Sequence, residues 1–396
     1  MKDLDTKYMQ MALKLAQRGI DSVEPNPAVG CVIVKANQII GKGWHKKFGG
    51  PHAEINALED CKSLGVNPRG ARMYVTLEPC CHEGKTGPCT EAIIKAGLGK
   101  VFIATIDPSA HAGGRGAGQL RQAGIEVQTG LCETEARLLN AAFMKFAATG
   151  RCWVTLKWAQ SIDGKVARAQ NDERQRWISN EPSRKDVHKL RRRAGAILVG
   201  INTVLADNPM LTPRPGKGEK PLRIVLDSFL RIPMSCRLLR TARTNPTLVF
   251  TSRAALESKA KAAARIAKKQ AELLAYPDTQ GQSNLYFLLE KLSERGIIHL
   301  LVEGGPTVIG SFLKERLADE IRVYISPSLL GACGSADISS ATARLAEAVG
   351  LHHVGTRCFG EDICLTGLTE SGLEGIRFVI GEHHEEDRVA GPPDGT

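Results

Sequence analysis

The chain has 396 residues, 42% hydrophobic and 24% charged, which excludes a disordered or fibrous protein and points to two globular domains. Its apolar runs, such as 29–34 and 297–302, fall far short of the ~20 residues a membrane-spanning helix needs. A net charge of +11 favours anionic ligands such as phosphorylated metabolites or nucleotides, while 5% aromatic residues leave few stacking platforms for single-stranded nucleic acid.

Leu4, Tyr8, Met11, Ala12 and Leu15 recur at helical spacing and predict an N-terminal amphipathic helix. The opening lacks the apolar core and cleavage site of a secretory signal, so a cytoplasmic protein is expected. Residues 29–34, 73–77 and 101–105 read as buried strands separated by helical segments, an α/β domain over 1–147. Strand candidates at 153–157, 197–200, 223–226, 247–250, 298–303 and 321–325 predict a second α/β domain over 148–370. The polar end, 371–396, reads as a flexible tail. Between these elements, the glycine run at 113–118 reads as a flexible loop, and 254–271 as one charged, Ala-rich helix. Arg184, Lys185, Arg191, Arg192 and Arg193 read as the solvated face of an amphipathic helix. Gly84-Lys85-Thr86 ends like a phosphate-binding loop, but Pro79 stands where the earlier glycine is required. The 11 cysteines are too few for a disulfide scaffold.

The most specific pattern is His52-Ala53-Glu54, then Pro79-Cys80, then Cys89. One imidazole and two thiolates fill three tetrahedral corners of a zinc ion and leave the fourth for water, the arrangement of a catalytic rather than a structural site. Zinc lowers the pKa of such a water to about 7, and Glu54, two residues past the histidine, is placed to carry its protons. H-x-E with P-C and a later cysteine is the pattern of nucleobase deaminases, here with a wider gap between the cysteines. The competing expectation is a closed structural site with Cys81 or His82 as fourth ligand. The insertion between Cys80 and Cys89 places His82, Lys85 and Thr86 beside the metal, groups suited to a phosphate or sugar.

On these residues the chain resembles the bifunctional riboflavin-biosynthesis deaminase/reductase family over about residues 1–370. The resemblance implies a cytidine-deaminase-like three-layer α/β domain followed by a dihydrofolate-reductase-like domain. The first would remove the 2-amino group of 2,5-diamino-6-(5-phosphoribosylamino)pyrimidin-4(3H)-one as ammonia, with His52, Cys80 and Cys89 on zinc and Glu54 as proton shuttle. Asn26, His45, His82, Lys85, Thr86 and Asp107 would line its substrate. The family's D-P-N-P reads Asp107-Pro108-Ser109-Ala110 here, so the contact expected of the third residue rests on a shorter side chain.

In the second half, Lys157 and Glu303 close two predicted strands, and Gly304-Gly305-Pro306-Thr307 leads into an apolar helix. Exposed backbone N–H groups at such a helix start suit a diphosphate. The family resemblance also covers Ser161-Ile162-Asp163-Gly164, Trp177-Ile178-Ser179, the Thr203 to Pro209 run and Asp227-Ser228. It implies NADPH contacts at Ala159, Trp177, Thr203, Asp207, Ser228, Gly305, Pro306, Thr307, Val308, Ile309, Gly310 and Ser311. Lys157, Gln175, Arg191, Leu211, Arg214 and Glu303 would hold the phosphoribosylamino substrate, with Arg191 or Arg214 on its phosphate and Lys157 and Glu303 on the opened sugar. Gln175 stands where the family usually has serine. Expected partners are a small phosphorylated pyrimidine and further copies of the same chain, without nucleic acid or membrane. The alternative kept open is a zinc-dependent tRNA base deaminase with an accessory binding domain.

Overall fold

The apolar stripe of the first turns forms α1 (Lys2–Ala16), which presses Tyr8, Met9, Ala12 and Leu13 onto one face of a sheet. The computed structural model describes residues 2–82, 87–109, 112–168, 177–214, 220–277, 284–343 and 345–377. It divides into two compact units, Met1–Thr149 with Gly375–Thr396, and Gly150–Glu374.

In the first unit α1 is followed by β1 (Gly30–Lys35), β2 (Gln38–Trp44), α2 (Ala53–Ser63), β3 (Arg72–Val75), α3 (Cys89–Ala96), β4 (Lys100–Ile103), α4 (Arg115–Gln122), β5 (Glu126–Thr129), α5 (Glu133–Leu139) and α6 (Ala141–Thr149). The sheet order is β2-β1-β3-β4-β5, with β1 antiparallel to both neighbours and β3, β4 and β5 parallel. Alternation along β1 sends Cys31 and Ile33 to the layer of α2, α3 and α4, and Val32 and Val34 to that of α1. A strand buried on both faces reads as an unbroken apolar run, which is why β1, β3 and β4 are legible in sequence. β2 and β5 are not: β2 carries two glycines and a lysine, and edge strand β5 is mostly exposed.

The glycine run at 113–118 departs from the loop expectation. Gly114, in the left-handed region (φ 81°), is the N-cap of α4, and Gly116 lies inside the helix. Gly116 packs so tightly on the Pro79 carbonyl that a Cβ there would collide with it.

The second unit holds β6 (Trp153–Ser161), β7 (Lys165–Arg168), α7 (Glu181–Arg193), β8 (Ala196–Gly200), α8 (Ile201–Asp207), β9 (Leu222–Leu226), α9 (Arg237–Arg240), β10 (Thr247–Ser252), α10 (Arg253–Ser258), α11 (Ala260–Lys268), β11 (Glu272–Tyr276), α12 (Asn284–Glu294), β12 (His299–Val302), α13 (Pro306–Lys314), β13 (Glu320–Ser326), β14 (Gly334–Asp337), α14 (Ser339–Thr342), β15 (His352–Phe359), β16 (Asp362–Leu368) and the first part of α15 (Glu370–Arg377). Nine strands form one sheet in the order β11-β10-β9-β8-β12-β6-β13-β16-β15, parallel from β11 to β13, with β16 and β15 antiparallel; β7 and β14 pair separately. β8 leads on to β9 on one side, while β12 leads to β13 on the far side of β6. The gap between β8 and β12 is therefore a switch point, where open α/β sheets hold ligands at their strand C-termini.

Two expectations need correction here. The predicted helix at 254–271 is two, because Lys259 leaves helical geometry (φ −115°, ψ 37°) so that Ala255 and then Ala263 and Ile266 can each be buried. The predicted tail at 371–396 begins with most of α15, which buries Leu373 and Ile376; residues 378–396 lie outside the described residues.

Candidate active sites

In the first unit two helix N-termini and one strand end converge. β3 continues through Thr76, Leu77 and Glu78 to Pro79 and Cys80; His52 is the N-cap of α2, and Cys89 opens α3 behind Pro88. His52 Nδ1 lies 3.3 Å from Cys89 Sγ and 3.4 Å from Cys80 Sγ, and the Cys89 amide donates to Cys80 Sγ at 3.4 Å. All three ligand atoms lie within 4.8 Å of one another, and no other such cluster of metal-ligating side chains occurs among the described residues. Cys81 is outside the cluster, and neighbouring His82 is exposed. The positive ends of α2 and α3 favour anions at this point.

Hydrogen bonding from Cys89, and then from His52, holds the Cys80 thiol down at about 4 against its burial. His52 is raised, chiefly by its hydrogen bond to Cys80, and Cys89 is pushed up by its bond to Cys80 and by burial. An imidazole and two sulfurs crowded around shared protons are a donor set that fits zinc. Glu54, in the first turn of α2, is 3% exposed, and burial lifts its carboxyl to about 7. A carboxyl titrating there can both take and give a proton at neutral pH.

Around this cluster, His45 sits at the end of β2 with its ring 5.5 Å from that of His52, edge to face. Burial, and then His52, lower its pKa, and its buried Nε2 has no hydrogen-bond partner among the described residues. Half-buried Asn26 stands in a turn closed by its own amide on the Val23 carbonyl. Asp107 Oδ1 accepts from the Ser109 amide (2.9 Å) and hydroxyl (2.6 Å), so the shorter residue in the D-P-N-P position tethers the carboxylate. Lys85 and Thr86 lie outside the described residues.

Two residues that hold this loop cluster went unnoticed in the sequence. Glu78, 5% exposed, accepts from the amides of Asp107 (3.2 Å), Gly114 (3.0 Å) and Ala117 (2.9 Å), tying the Cys80 segment to the Asp107 loop and to the start of α4. Buried Asn140 brackets Ala28, accepting from its amide (2.8 Å) and donating to its carbonyl (3.0 Å), and so fixes the loop that carries Asn26. An acidic residue directly before Pro-Cys at a strand end was the available signal for Glu78; Asn140, far along the chain, gave none.

In the second unit, Lys157 on β6, Glu303 just past β12 and Arg191 on α7 meet. Arg191 binds Glu303 in a fork, Nε to Oε1 at 2.6 Å and Nη2 to Oε2 at 2.9 Å, while Lys157 Nζ stands 3.9 Å from Oε2 and 5.7 Å from the Tyr324 ring centre. Burial lowers Lys157; in Glu303 burial is outweighed by Arg191, and the carboxyl is held below its ordinary value. Arg191 Nη1 reaches the Thr212 carbonyl (3.4 Å), and Arg192 donates to the carbonyl of exposed Arg214 (3.3 Å), so this loop lies over α7. Leu211 is buried with φ 50°, a conformation unusual for leucine that leaves only its backbone for a ligand. Gln175 lies outside the described residues.

Gly305 caps α13 beside the switch point, and a Cβ on it would meet nothing within 4 Å, so the backbone there is open. Gly304 is different: a Cβ would press on Val308, so glycine lets the helix start close to the strand end. This open helix start fits the diphosphate of a dinucleotide. Ser311 is exposed and donates to the Thr307 carbonyl (3.0 Å). The Ile309 side chain is 1% exposed in the core, and Gly310 abuts Ala341 of α14, so at these two positions only the backbone is left for a ligand. Half-buried Thr203 on α8 and half-buried Ala159 on β6 lie near strand ends; Asp207 and Ser228 are exposed. Trp177 is 56% exposed beneath the Arg184 guanidinium.

The first unit matches the family model described as cytidine and deoxycytidylate deaminase zinc-binding region over residues 2–105, and the second matches the RibD C-terminal domain over residues 152–365. Riboflavin biosynthesis protein RibD of Actinobacillus pleuropneumoniae is 40% identical over 379 residues, covering 94% of this chain and 97% of that one. The chain belongs to the RibD family. The RibD of Escherichia coli (strain K12) is 39% identical over 91% of this chain and 98% of that protein. The solved structure of Acinetobacter baumannii RibD is 36% identical with a TM-score of 0.78, covering 93% of this chain and 99% of that one. A Thermotoga maritima structure titled as a diaminohydroxyphosphoribosylaminopyrimidine deaminase/5-amino-6-(5-phosphoribosylamino)uracil reductase is 34% identical, also at TM-score 0.78, over 93% of this chain and 99% of that one. This RibD-family chain is thus a bifunctional enzyme of riboflavin biosynthesis, a zinc-type deaminase joined to a reductase. A RibD reductase domain where an accessory RNA-binding domain would stand favours that reading over the tRNA deaminase. None of the helices among the described residues is long and apolar enough to cross a membrane.

Proposed function

We propose that residues 1–147 hydrolyse the 2-amino group of 2,5-diamino-6-(5-phosphoribosylamino)pyrimidin-4(3H)-one, and that residues 148–370 reduce the ribosyl group of the product. The observation that carries the first step is the His52–Cys80–Cys89 cluster with buried Glu54 beside it. Zinc held by those three residues supplies, when bound, a Lewis acid that lowers the pKa of water to about 7. Glu54 takes a proton from the attacking water and returns it to the amino group, so that water's oxygen replaces nitrogen on the ring and ammonia departs. His45, through its unpartnered Nε2, and Asn26 hold the pyrimidine; His82, Lys85, Thr86 and Asp107 hold the ribose and phosphate.

In the second step NADPH, when bound, supplies a hydride. The open start of α13 at Gly305, Pro306, Thr307 and Val308 receives its diphosphate, with Ser311, Thr203, Asp207, Ser228, Ala159 and Trp177 along the cofactor. Glu303 and Lys157 hydrogen-bond the opened sugar and place a proton, so that two electrons and two hydrogens convert ribosyl to ribityl. Arg191, Arg214 and Gln175, with the Leu211 backbone, hold the rest of the substrate. The partners are this small phosphorylated pyrimidine and a second copy of the chain in the cytoplasm, not nucleic acid or membrane. The eight-residue edge strand β15, exposed along nearly all its length, is a surface that a second copy can cover.

Purified protein given the diaminopyrimidine and NADPH should release ammonia and consume NADPH in equal amounts. Ammonia without NADPH loss would leave only the first step; steep, salt-sensitive tRNA binding without NADPH affinity would favour base editing instead.

A further inference from the structure

The substrate-holding groups of the second unit are bound to each other. Both oxygens of Glu303 are taken by the Arg191 fork, its side chain is 8% exposed, and Lys157 stands off at 3.9 Å. Closed in this way, each carboxylate oxygen already accepts one charged N–H, so a sugar hydroxyl must compete with the fork for the second lone pair and for the carboxylate's position. The charge around it is unbalanced: Lys157 and Arg191 are two cations on one carboxylate, and Arg214 adds a third positive charge near His188. A phosphate monoester, carrying about −1.5 to −2 at pH 7, matches that excess.

His188, one helical turn before Arg191 on α7, supplies the second observation. Its Nδ1 is buried with no hydrogen-bond partner among the described residues, while the ring also meets the Thr212 backbone. The charges acting on its ring are those of Arg191, Arg214 and Glu303. An unprotonated Nδ1 beside a guanidinium is an acceptor awaiting an N–H.

We propose that the Arg191–Glu303 pair is a latch opened by the substrate's phosphate: the phosphate draws Arg191 away, His188 Nδ1 accepts one of the freed N–H groups, and Glu303 is released to the sugar. This deepens the proposed reductase reading and rests on it. The phosphate then contributes to turnover as well as to binding, because without it the carboxylate stays occupied. His188 is a positioning residue in this scheme, acting through Arg191.

The test uses the full chain and NADPH, comparing the phosphorylated intermediate with its dephosphorylated form, 5-amino-6-ribosylaminouracil, with and without inorganic phosphite. In the wild type, loss of the phosphate should lower kcat by at least about tenfold, and phosphite should restore kcat rather than KM. Arg191→Gln should reduce the truncated substrate faster than the wild type does and lose the response to phosphite, a gain that structural damage would not produce. His188→Asn, which keeps an acceptor, should retain phosphite activation, and His188→Leu should lose it. A truncated substrate turned over at full kcat with only a raised KM, or no phosphite effect on the wild type, overturns the latch. Failure of the wild type to reduce the phosphorylated intermediate would sink the reductase reading itself, and is distinguishable from either.

Discussion

Glu78→Gln removes the charge that ties the Cys80 segment to two other loops while leaving the side chain's shape intact. Glu78 Oε1 serves the Ala117 amide and Oε2 serves those of Gly114 and Asp107. A glutamine can put its carbonyl on only one side, so at best two bonds become neutral ones and the Ala117 amide faces an NH2 group. With about 1.5–3 kcal/mol for a bond to a charged group and about 1 for a neutral one, two weakened bonds and one lost give a gross loss of about 2.5–7 kcal/mol. Burial, however, holds the Glu78 carboxyl above its ordinary value, and the amide is spared that desolvation, so a net loss of about 2–3 kcal/mol is expected. For a unit of this size that lowers its Tm by about 5–10 °C. Calorimetry with and without a zinc chelator should show the first unit melting earlier and yielding zinc more readily, while NADPH-dependent reduction of the deaminated intermediate persists. Wild-type melting and zinc retention would refute the clamp.

Glu54→Gln should abolish ammonia release, by at least about 10² to 10⁴-fold, while reduction of the deaminated intermediate continues; a mass-spectrometric product assay separates the two. Lys157→Ala should slow NADPH oxidation without affecting ammonia release, and unchanged oxidation would remove Lys157 from the proposed chemistry. Burial holds His299 at about 4, below its ordinary 6.5, so between these values the unfolded chain carries the extra proton; stability should fall by up to about 3 kcal/mol as pH drops from 6.5 to 4, and His299→Gln should flatten that slope in denaturant titrations. Arg223, fully buried with no carboxylate partner among the described residues, donates to the Met210, Leu238 and Asn245 carbonyls and to the Thr241 and Thr247 hydroxyls; Arg223→Met should cost about 3–5 kcal/mol by urea unfolding, and raise the reductase KM through the loop that carries Leu211.

Features that depend on residue type at fixed spacing were legible before any coordinates. His52, Cys80 and Cys89 come together as their chemistry demands, and the doubly buried strands β1, β8 and β12 read as apolar runs. Features that depend on the backbone or on distant partners were not. Glu78 works by accepting three amides, Asn140 by bracketing Ala28 across 112 positions, and His188 by a ring nitrogen left without a partner; none of these has a periodicity or motif. The glycine run at 113–118 misled because a helix can begin on glycine when a carboxylate such as Glu78 caps it from elsewhere.

X-ray absorption at the zinc edge of the purified enzyme tests the central claim most directly. One zinc per chain should show two sulfurs at about 2.3 Å, one nitrogen at about 2.0 Å and one light-atom ligand from solvent. A third sulfur, from Cys81, or a shell unchanged in Cys89→Ser, would contradict a metal held by His52, Cys80 and Cys89 with a corner open for water.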